Sequence, residues 1–527
     1  MTRDFHLPGR SPAYATGGMV ATSHPLASLA AVEIMRAGGS AADAAVAAMA
    51  VACVGEPHMT GIGGDCFCLV ARPGQPVWGY NGSGRTGAAM RAEALIEQGL
   101  TDIAADSVHA VTVPGAVEAW DKILTTHGRI GLDRVLQPAI DAAEAGVAVQ
   151  PRVALDWKLA VAKLSKHAVT AKHFLVDGQA PKAGDVVRFP ALARTLRTLA
   201  KDGARAFYEG EIADDMVATL QSHGGVLTAA DFAAHRGDQV TPISTNYRGL
   251  DVVELPPNGQ GLAALVMLNI LDRFDMGSLD ANGAKRLHLL IEAGRLAYAM
   301  RNTNIADPAF MTEQVSALLD PSFAAKLAGM IEPAKRSPFP KAVKPMGSTV
   351  LVCVVDKDRN AVTMINSLFS AFGSGIATEK TGVLLHHRGS GFNLTPGHPN
   401  CIGPSKRPMH TIIPALALRD GRVDMAFGVM GGAYQAMGHA HVVSNIVDHA
   451  MDLQTALDWP RVFFEGERVE VENGVSDEAM QEMRAMGHDV ARRALPHGGG
   501  QAIRIDWERG VLIGASDPRK DGLALGY

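Results

Sequence analysis

A layered α+β fold with a buried sheet core is what this sequence predicts, and three observations predict it. The first half carries Ala-rich and amphipathic stretches at helical spacing. Thr349–Val355 is a β-branched apolar run. Beyond it, short apolar runs and one long helical pattern alternate toward the C-terminus. Strand runs beside helix runs imply helices covering a sheet. Length alone would suggest roughly three or four domains of about 150 residues, yet no repeat, low-complexity linker or clear seam divides the chain.

Along the chain, Ala27–Cys53 is an Ala-heavy amphipathic stretch long enough for more than one helix. It leads to the turn Gly61-Ile62-Gly63-Gly64-Asp65 and a short strand at Cys66–Ala71. The spacing of apolar residues predicts helices at Val117–Thr126, Leu132–Ala145, Pro190–Ala200, Gln260–Phe274 and Ala284–Met300. Lys341–Gly347, with Pro and Lys, reads as an exposed loop, and Thr349–Val355 as the buried strand after it. Asp356–Asn360 is a polar turn and Ala361–Ser367 a second strand. A hairpin centred on Asp358 pairs Val355 with Ala361, and the same register carried outward sets Ser367 opposite Thr349. Strands at Ile412–Leu418 and Val423–Val429, a helix at Ala433–Ala450 and a mixed tail to Tyr527 complete the expectation.

Composition narrows the function. Hydrophobic residues make up 47% and charged residues 20%, which is ordinary for a globular protein. A net charge of -5 with no Lys/Arg run argues against nucleic acid as a partner. Met1–Thr22 has Pro, Gly and charges where a secretory signal needs an apolar core, and no stretch approaches about 18 uncharged apolar residues. Neither export nor a membrane is expected. Cys53, Cys66, Cys68, Cys353 and Cys401 are odd in number and lie mostly in apolar runs, which suits packing in a reduced cytoplasm.

Several residue groups could carry chemistry. Thr349 in Gly347-Ser348-Thr349-Val350 is, on pattern alone, a strand start. If the chain is cut before it, its hydroxyl gains an α-amine on the same residue. That amine titrates at about 7.7–8.0, close to what a general base needs. Ser367 across the hairpin could orient the hydroxyl. Gly431-Gly432 stands between a strand and a helix, where backbone N–H groups can form an oxyanion hole; a plain turn is the commoner use of such a pair. Arg85 after Gly82-Ser83-Gly84, Arg388 after His386-His387, and His410-Thr411 are candidate anion holders. Gly61–Gly64 precedes a strand and so lacks the helix of a dinucleotide or phosphate loop. Gly82–Gly84 lacks the strand and helix of a nucleophile elbow. His439 and His441, two apart on a helix, do not share a face. Cys66 and Cys68 are too sparse for a metal site, His386-His387 lacks a partnered carboxylate at metal spacing, and neither a metal nor a cofactor is expected.

These stretches together resemble the γ-glutamyltransferase family of N-terminal-nucleophile hydrolases over nearly the whole length. The resemblance is carried by GIGGD at Gly61–Asp65, VTVPGA at Val111–Ala116, LPPNGQG at Leu255–Gly261 and IEAGRLAYAMR at Ile291–Arg301. It continues in VVDKDRNAV at Val354–Val362, FGSGI at Phe372–Ile376, KRP at Lys406–Pro408, GASDPR at Gly514–Arg519 and the final Gly526-Tyr527. It implies a four-layer αββα sandwich made as a proenzyme. Residues 1–348 would form a large subunit and 349–527 a small one, cut between Ser348 and Thr349, intertwined in one domain and possibly paired as a dimer of heterodimers. It places the catalytic Thr on Thr349, its supporting position on Ser367 and the oxyanion-hole glycines on Gly431 and Gly432. The arginine that holds the substrate carboxylate falls on Arg85, and the serine pair beside it on His410 and Thr411.

The departures from the family pattern bear on the substrate. Where γ-glutamyltransferases grip the glutamyl amino group with an Asn, a Gln or Glu, and an Asp, this chain has Phe369, Arg388 and Gly391. Val350 and Leu351 replace the Thr and His that follow the nucleophile in transferases. An ammonium beside Arg388 would be repelled. The site is expected to take a small anionic amide without an amino group. Within the family this is most similar to the oxamate amidohydrolase branch, which converts oxamate to oxalate and ammonia in urate-derived purine breakdown. The alternatives are a γ-glutamyl hydrolase or transferase, a glutaryl-type acylase, or an uncleaved homologue that binds without catalysis.

Overall fold

The computed structural model describes residues 9–338 and 348–527, so the expected Lys341–Gly347 loop lies outside the described residues. The Ala-rich stretch becomes two helices, Pro25–Arg36 and Ala41–Gly55. Gly38, at a φ of +97°, breaks them, and Ser40 starts the second with a reciprocal capping box to Asp43. Every residue of Ala41–Gly55 is buried. A helix apolar on all sides belongs inside a protein, and its small alanines let neighbours approach closely.

Two seven-stranded sheets pack face to face. One runs in the order Ala524–Gly526, Met19–Ala21, Ser348–Val355, Ala361–Phe369, Asp65–Ala71, Trp78–Gly82, Asp238–Val240. The other runs Ala13–Ala15, Val511–Ser516, Gly499–Asp506, Arg422–Met430, Ala415–Arg419, Leu250–Glu254, Ile243–Tyr247. The Ala41–Gly55 helix covers the first sheet, and the helices Gly261–Leu271 and Tyr434–Val447 cover the second. The fold is thus the expected αββα sandwich, with one large apolar cluster on each side. Leu132–Ala145 forms over the expected residues; Ala284–Asn304 runs one turn longer than expected.

The hairpin register holds from Val355–Ala361 to Val350–Asn366. A bulge then intervenes, so that Ser348 pairs with Phe369 and Thr349 has no partner in the ladder. The expected pairing of Thr349 with Ser367 is corrected accordingly: Ser367 pairs with Asp65 on its other edge. Other boundaries move as well: the helix expected at Gln260–Phe274 is Gly261–Leu271. The strand expected at Ile412–Leu418 is Ala415–Arg419, and the helix expected at Ala433–Ala450 is Tyr434–Val447. Gly431 and Gly432, at φ of +121° and +57°, use the left-handed backbone glycine allows and delay the helix. No helix among the described residues is long and apolar enough to cross a membrane.

Leu351 is fully buried between the sheets, where a Cβ on Gly428 would stand 2.9 Å from its Cδ2. Leu351→Ala should therefore lower stability by about 2–5 kcal/mol. Urea melts should show a lower midpoint at unchanged slope; an unmoved midpoint would contradict this packing.

Candidate active site

The bulge turns Thr349 out of the ladder while keeping it fully buried. Its hydroxyl donates to Ser367 Oγ at 3.4 Å and accepts from Gln435 Nε2 at 3.3 Å. Neither neighbour is loose. Ser367 Oγ accepts the Phe369 N–H at 2.8 Å, and Gln435 Oε1 accepts the Ile413 N–H at 3.1 Å. Phe369 has a φ of +86°, an uncommon conformation for an aromatic residue and of the kind that collects at functional sites. Sequence reasoning missed Gln435; its one signal was its place in the first turn of the helix after the glycine pair.

The Gly431–Ala433 turn leads into the helix that carries Gln435, whose N–H donates to Gly432 O at 3.2 Å, and side chains hold the turn in place. Gln260 Nε2 donates to Gly432 O and to Thr411 O, both at 2.8 Å. Arg301 Nη1 donates to Gln260 Oε1 at 2.6 Å, and the Tyr298 hydroxyl donates to Ala433 O. Among the described residues, neither the Gly431 nor the Gly432 N–H donates to a protein acceptor. Two such amides at a strand-to-helix turn are suited to a developing oxyanion. A cleft of about 320 Å³, lined in part by Gly431, Ala371, Tyr434 and Lys520, opens beside them.

Past Phe369 lies Arg388, only 1% exposed. Its guanidinium lies over the Phe369 ring, 4.6 Å from the centroid, and Phe369 stacks on His387 at 4.8 Å. Nη1 donates to Thr411 Oγ1 at 3.1 Å, while Nε and Nη2 have no protein partner. Burial pushes this arginine down to about 9, against the opposing pull of Asp65, so it is still a cation at neutral pH. The Asp65 carboxylate is committed elsewhere: it accepts the N–H groups of Gly84 at 3.3 Å and Gly115 at 3.0 Å, and His410 Nε2 at 3.1 Å. His410 Nδ1 accepts the Ile412 N–H at 3.4 Å, so both ring nitrogens serve the protein. Burial holds His410 and His387 well below the usual imidazole range and His386 at about 4. The result is a buried cation with two donors open, set among neutral histidines. An anion would complete it.

The structure therefore brings Thr349, Ser367, Gly431, Gly432, Thr411, Arg388 and His410 into one connected network. Arg85 is not bonded to it. Its side chain, 39% exposed, pairs with Asp307 at 3.0 Å and Asp238 at 3.6 Å. Asp65, Gln260 and Arg301 were missed as individuals, although each lies in one of the stretches that carried the resemblance.

Compared with known proteins, residues 27–527 match the family model described as Gamma-glutamyltranspeptidase. The chain is 37% identical to the glutathione hydrolase-like YwrD proenzyme of Bacillus subtilis, over 97% of this chain and 98% of that protein. It is 35% identical to the oxamate amidohydrolase proenzyme of Klebsiella pneumoniae, over 97% and 99% respectively. Among solved structures, the cephalosporin acylase from Bacillus halodurans superposes with a TM-score of 0.94 at 37% identity, covering 100% of this chain and 99% of that one.

The lowered histidines have a cost at acid pH. An unfolded imidazole gains its proton below about pH 6.5, whereas native His386 resists until about 4. Stability is therefore unaffected above about 6.5 and falls as pH drops toward 4, by about 2 kcal/mol at pH 5 from His386 alone. Urea melts of wild type and His386→Asn at pH 7 and pH 5 should show a smaller acid loss in the variant. Equal losses would mean His386 is not held neutral.

Proposed function

Since the chain belongs to the gamma-glutamyltranspeptidase family, we propose that it cuts itself before Thr349 and then hydrolyses a small amide whose acyl half bears a carboxylate and no amino group. The family's members are hydrolases of amide C–N bonds, and this chain is one of them. The observation that carries the substrate reading is Arg388: a buried cation with two unpartnered donors, linked through Phe369 and Ser367 to the candidate nucleophile. Leaving such a charge unpaired is expensive, and a bidentate carboxylate is the group that fits a guanidinium fork.

In maturation, the Thr349 hydroxyl adds to the Ser348 carbonyl, its proton passing to the peptide nitrogen as the C–N bond breaks. The ester so formed is hydrolysed by water. The products are a carboxylate at Ser348 and a free α-amine and hydroxyl on Thr349. In turnover, that amine takes the hydroxyl proton while Oγ attacks the substrate amide. Gln435 Nε2 and Ser367 orient Oγ, and the Gly431 and Gly432 N–H groups receive the oxyanion. The substrate's nitrogen half leaves with the proton that the Thr349 α-amine had taken, and water then releases the acid and restores the hydroxyl. Arg388, with Thr411, holds the carboxylate. The proenzyme names of both sequence relatives support the maturation step.

Oxamate, hydrolysed to oxalate and ammonia in a purine-degrading cytoplasm, is the first substrate to test, supported by the Klebsiella relative's name. The likeness to a cephalosporin acylase favours a second reading, a glutaryl-type acyl group on a larger amine. A γ-glutamyl donor fits worse. Its ammonium would face Arg388, and the nearby carboxylate, Asp65, already has three donors.

A denaturing gel should resolve two fragments for wild type and one band for Thr349→Ala; a stable single wild-type band would sink the proposal. Arg388→Met should leave self-cleavage intact but lower kcat/KM for the anionic amide by about a hundredfold or more, the size of a lost buried charge contact. Unchanged kinetics would remove Arg388 from the site. Oxamate, a glutaryl amide and a chromogenic γ-glutamyl anilide, compared by product release, separate the substrate readings.

A further inference from the structure

The helix Ala284–Asn304 carries a row of buried polar side chains: His288, Glu292, Arg295, Tyr298 and Arg301. Its C-terminal members, Tyr298 and Arg301, brace the Gly431–Ala433 turn directly and through Gln260. The N-terminal members grip a different segment, residues 332–337, which leads toward Ser348.

Both backbone polar groups of Ser337 are bonded to one ion pair. Glu292 Oε2 accepts the Ser337 N–H at 2.9 Å, and Arg295 Nη1 donates to Ser337 O at 3.0 Å and to Glu292 Oε1 at 2.8 Å. All three residues are buried, at 0%, 5% and 1% exposure for Glu292, Arg295 and Ser337. The Glu332 N–H closes a turn onto Ser337 Oγ at 3.1 Å, and Glu332 O lies 2.9 Å from His288 Nε2. The Arg336 N–H donates to Met486 O at 2.7 Å. His288, Glu292 and His488 bring their ligand-type atoms within 4.8 Å of one another, as a metal site would. Both Glu292 oxygens have protein partners as above, and His288 Nδ1 meets His488 Nε2 at 2.8 Å.

A buried ion pair contributes little net stability compared with apolar side chains of the same volume. What this pair fixes is a backbone position, 11 residues before Ser348 in the chain. Self-cleavage demands that Thr349 Oγ meet the Ser348 carbonyl in a narrow range of geometry, and small misplacements slow such intramolecular steps strongly. Holding the chain at Ser337 restricts the paths by which Ser348 can be presented.

We propose that the Glu292–Arg295 pair is a clamp on Ser337 that positions the chain for cleavage before Thr349. Both residues are positioning residues for maturation and are dispensable for turnover. The proposal rests on the self-cleavage reading above. Its signature is a split between two rates that a merely structural role would lower together.

The test follows newly translated full-length chain by denaturing gel over time, for wild type, Arg295→Lys and Glu292→Gln. Arg295→Lys keeps the charge but loses the fork geometry. Cleavage should slow at least tenfold in both variants. Turnover per mole of cleaved enzyme should stay within twofold of wild type, and a chelator should not change the wild-type rate. Cleavage at the wild-type rate, a matching fall in turnover per cleaved molecule, or arrest by the chelator would each overturn the clamp. Thermal midpoints in a Thr349→Ala background report on folding: a variant that fails to fold there assigns the pair to stability and overturns it as well. A wild type that never cleaves removes the reading beneath it, an outcome distinct from equal rates.

Discussion

The side-chain amide of Gln260 holds separate parts of the site in one frame. Its two N–H bonds go to Gly432 O and Thr411 O, and its oxygen accepts Arg301. One end of that span is the turn before Gln435, the residue bonded to Thr349; the other is the residue whose hydroxyl receives Arg388. Each such bond is worth only about 0.5–1.5 kcal/mol net, but a buried partner left unpaired costs more than the bond supplies. The three bonds are therefore made together or lost together. The spacing between the Gly432 turn and Thr411 is held by a rigid planar group rather than by a loop.

Around that frame, charge is rationed. The histidines nearest Arg388 are kept neutral by burial, and Asp65 is saturated by two backbone amides and His410. A carboxylate that bonded Arg388 directly would satisfy the donors that are unpartnered here. Asp65 instead lowers the field of the cation without occupying its donors. The aromatic face of Phe369 does the rest, because a guanidinium stacks on a ring without spending its N–H bonds.

Legibility followed the range of the interaction concerned. The Val355–Ala361 register could be read because both strands are β-branched and flank a polar turn, all within a few residues. The bulge at Thr349 could not, since nothing in Ser348-Thr349-Val350 differs from an ordinary strand; its cause lies in what the residue must face. The helix after Gly432 was placed one residue early because apolar spacing does not see a left-handed turn. Gln435, Gln260 and Asp65 were invisible as site residues for a common reason. Each is a buried polar side chain whose partners are tens to hundreds of positions away, and periodicity carries no trace of such pairings. Arg85 shows the converse. A flexible Gly-Ser-Gly approach suggested a ligand-seeking arginine, whereas its guanidinium is engaged by Asp307 and Asp238.

The strand order has one more consequence. Met19–Ala21 lies between Ala524–Gly526 and Ser348–Val355, so segments from both sides of the Ser348–Thr349 bond are woven through the same sheet. Scission of that bond, as proposed, would free two chain ends and leave the strand pairings in place. The halves could part only by tearing a buried seven-stranded sheet along several seams at once. Such a cut would work as a ratchet: the sheet would keep the two pieces of one molecule together after the bond that joined them was gone.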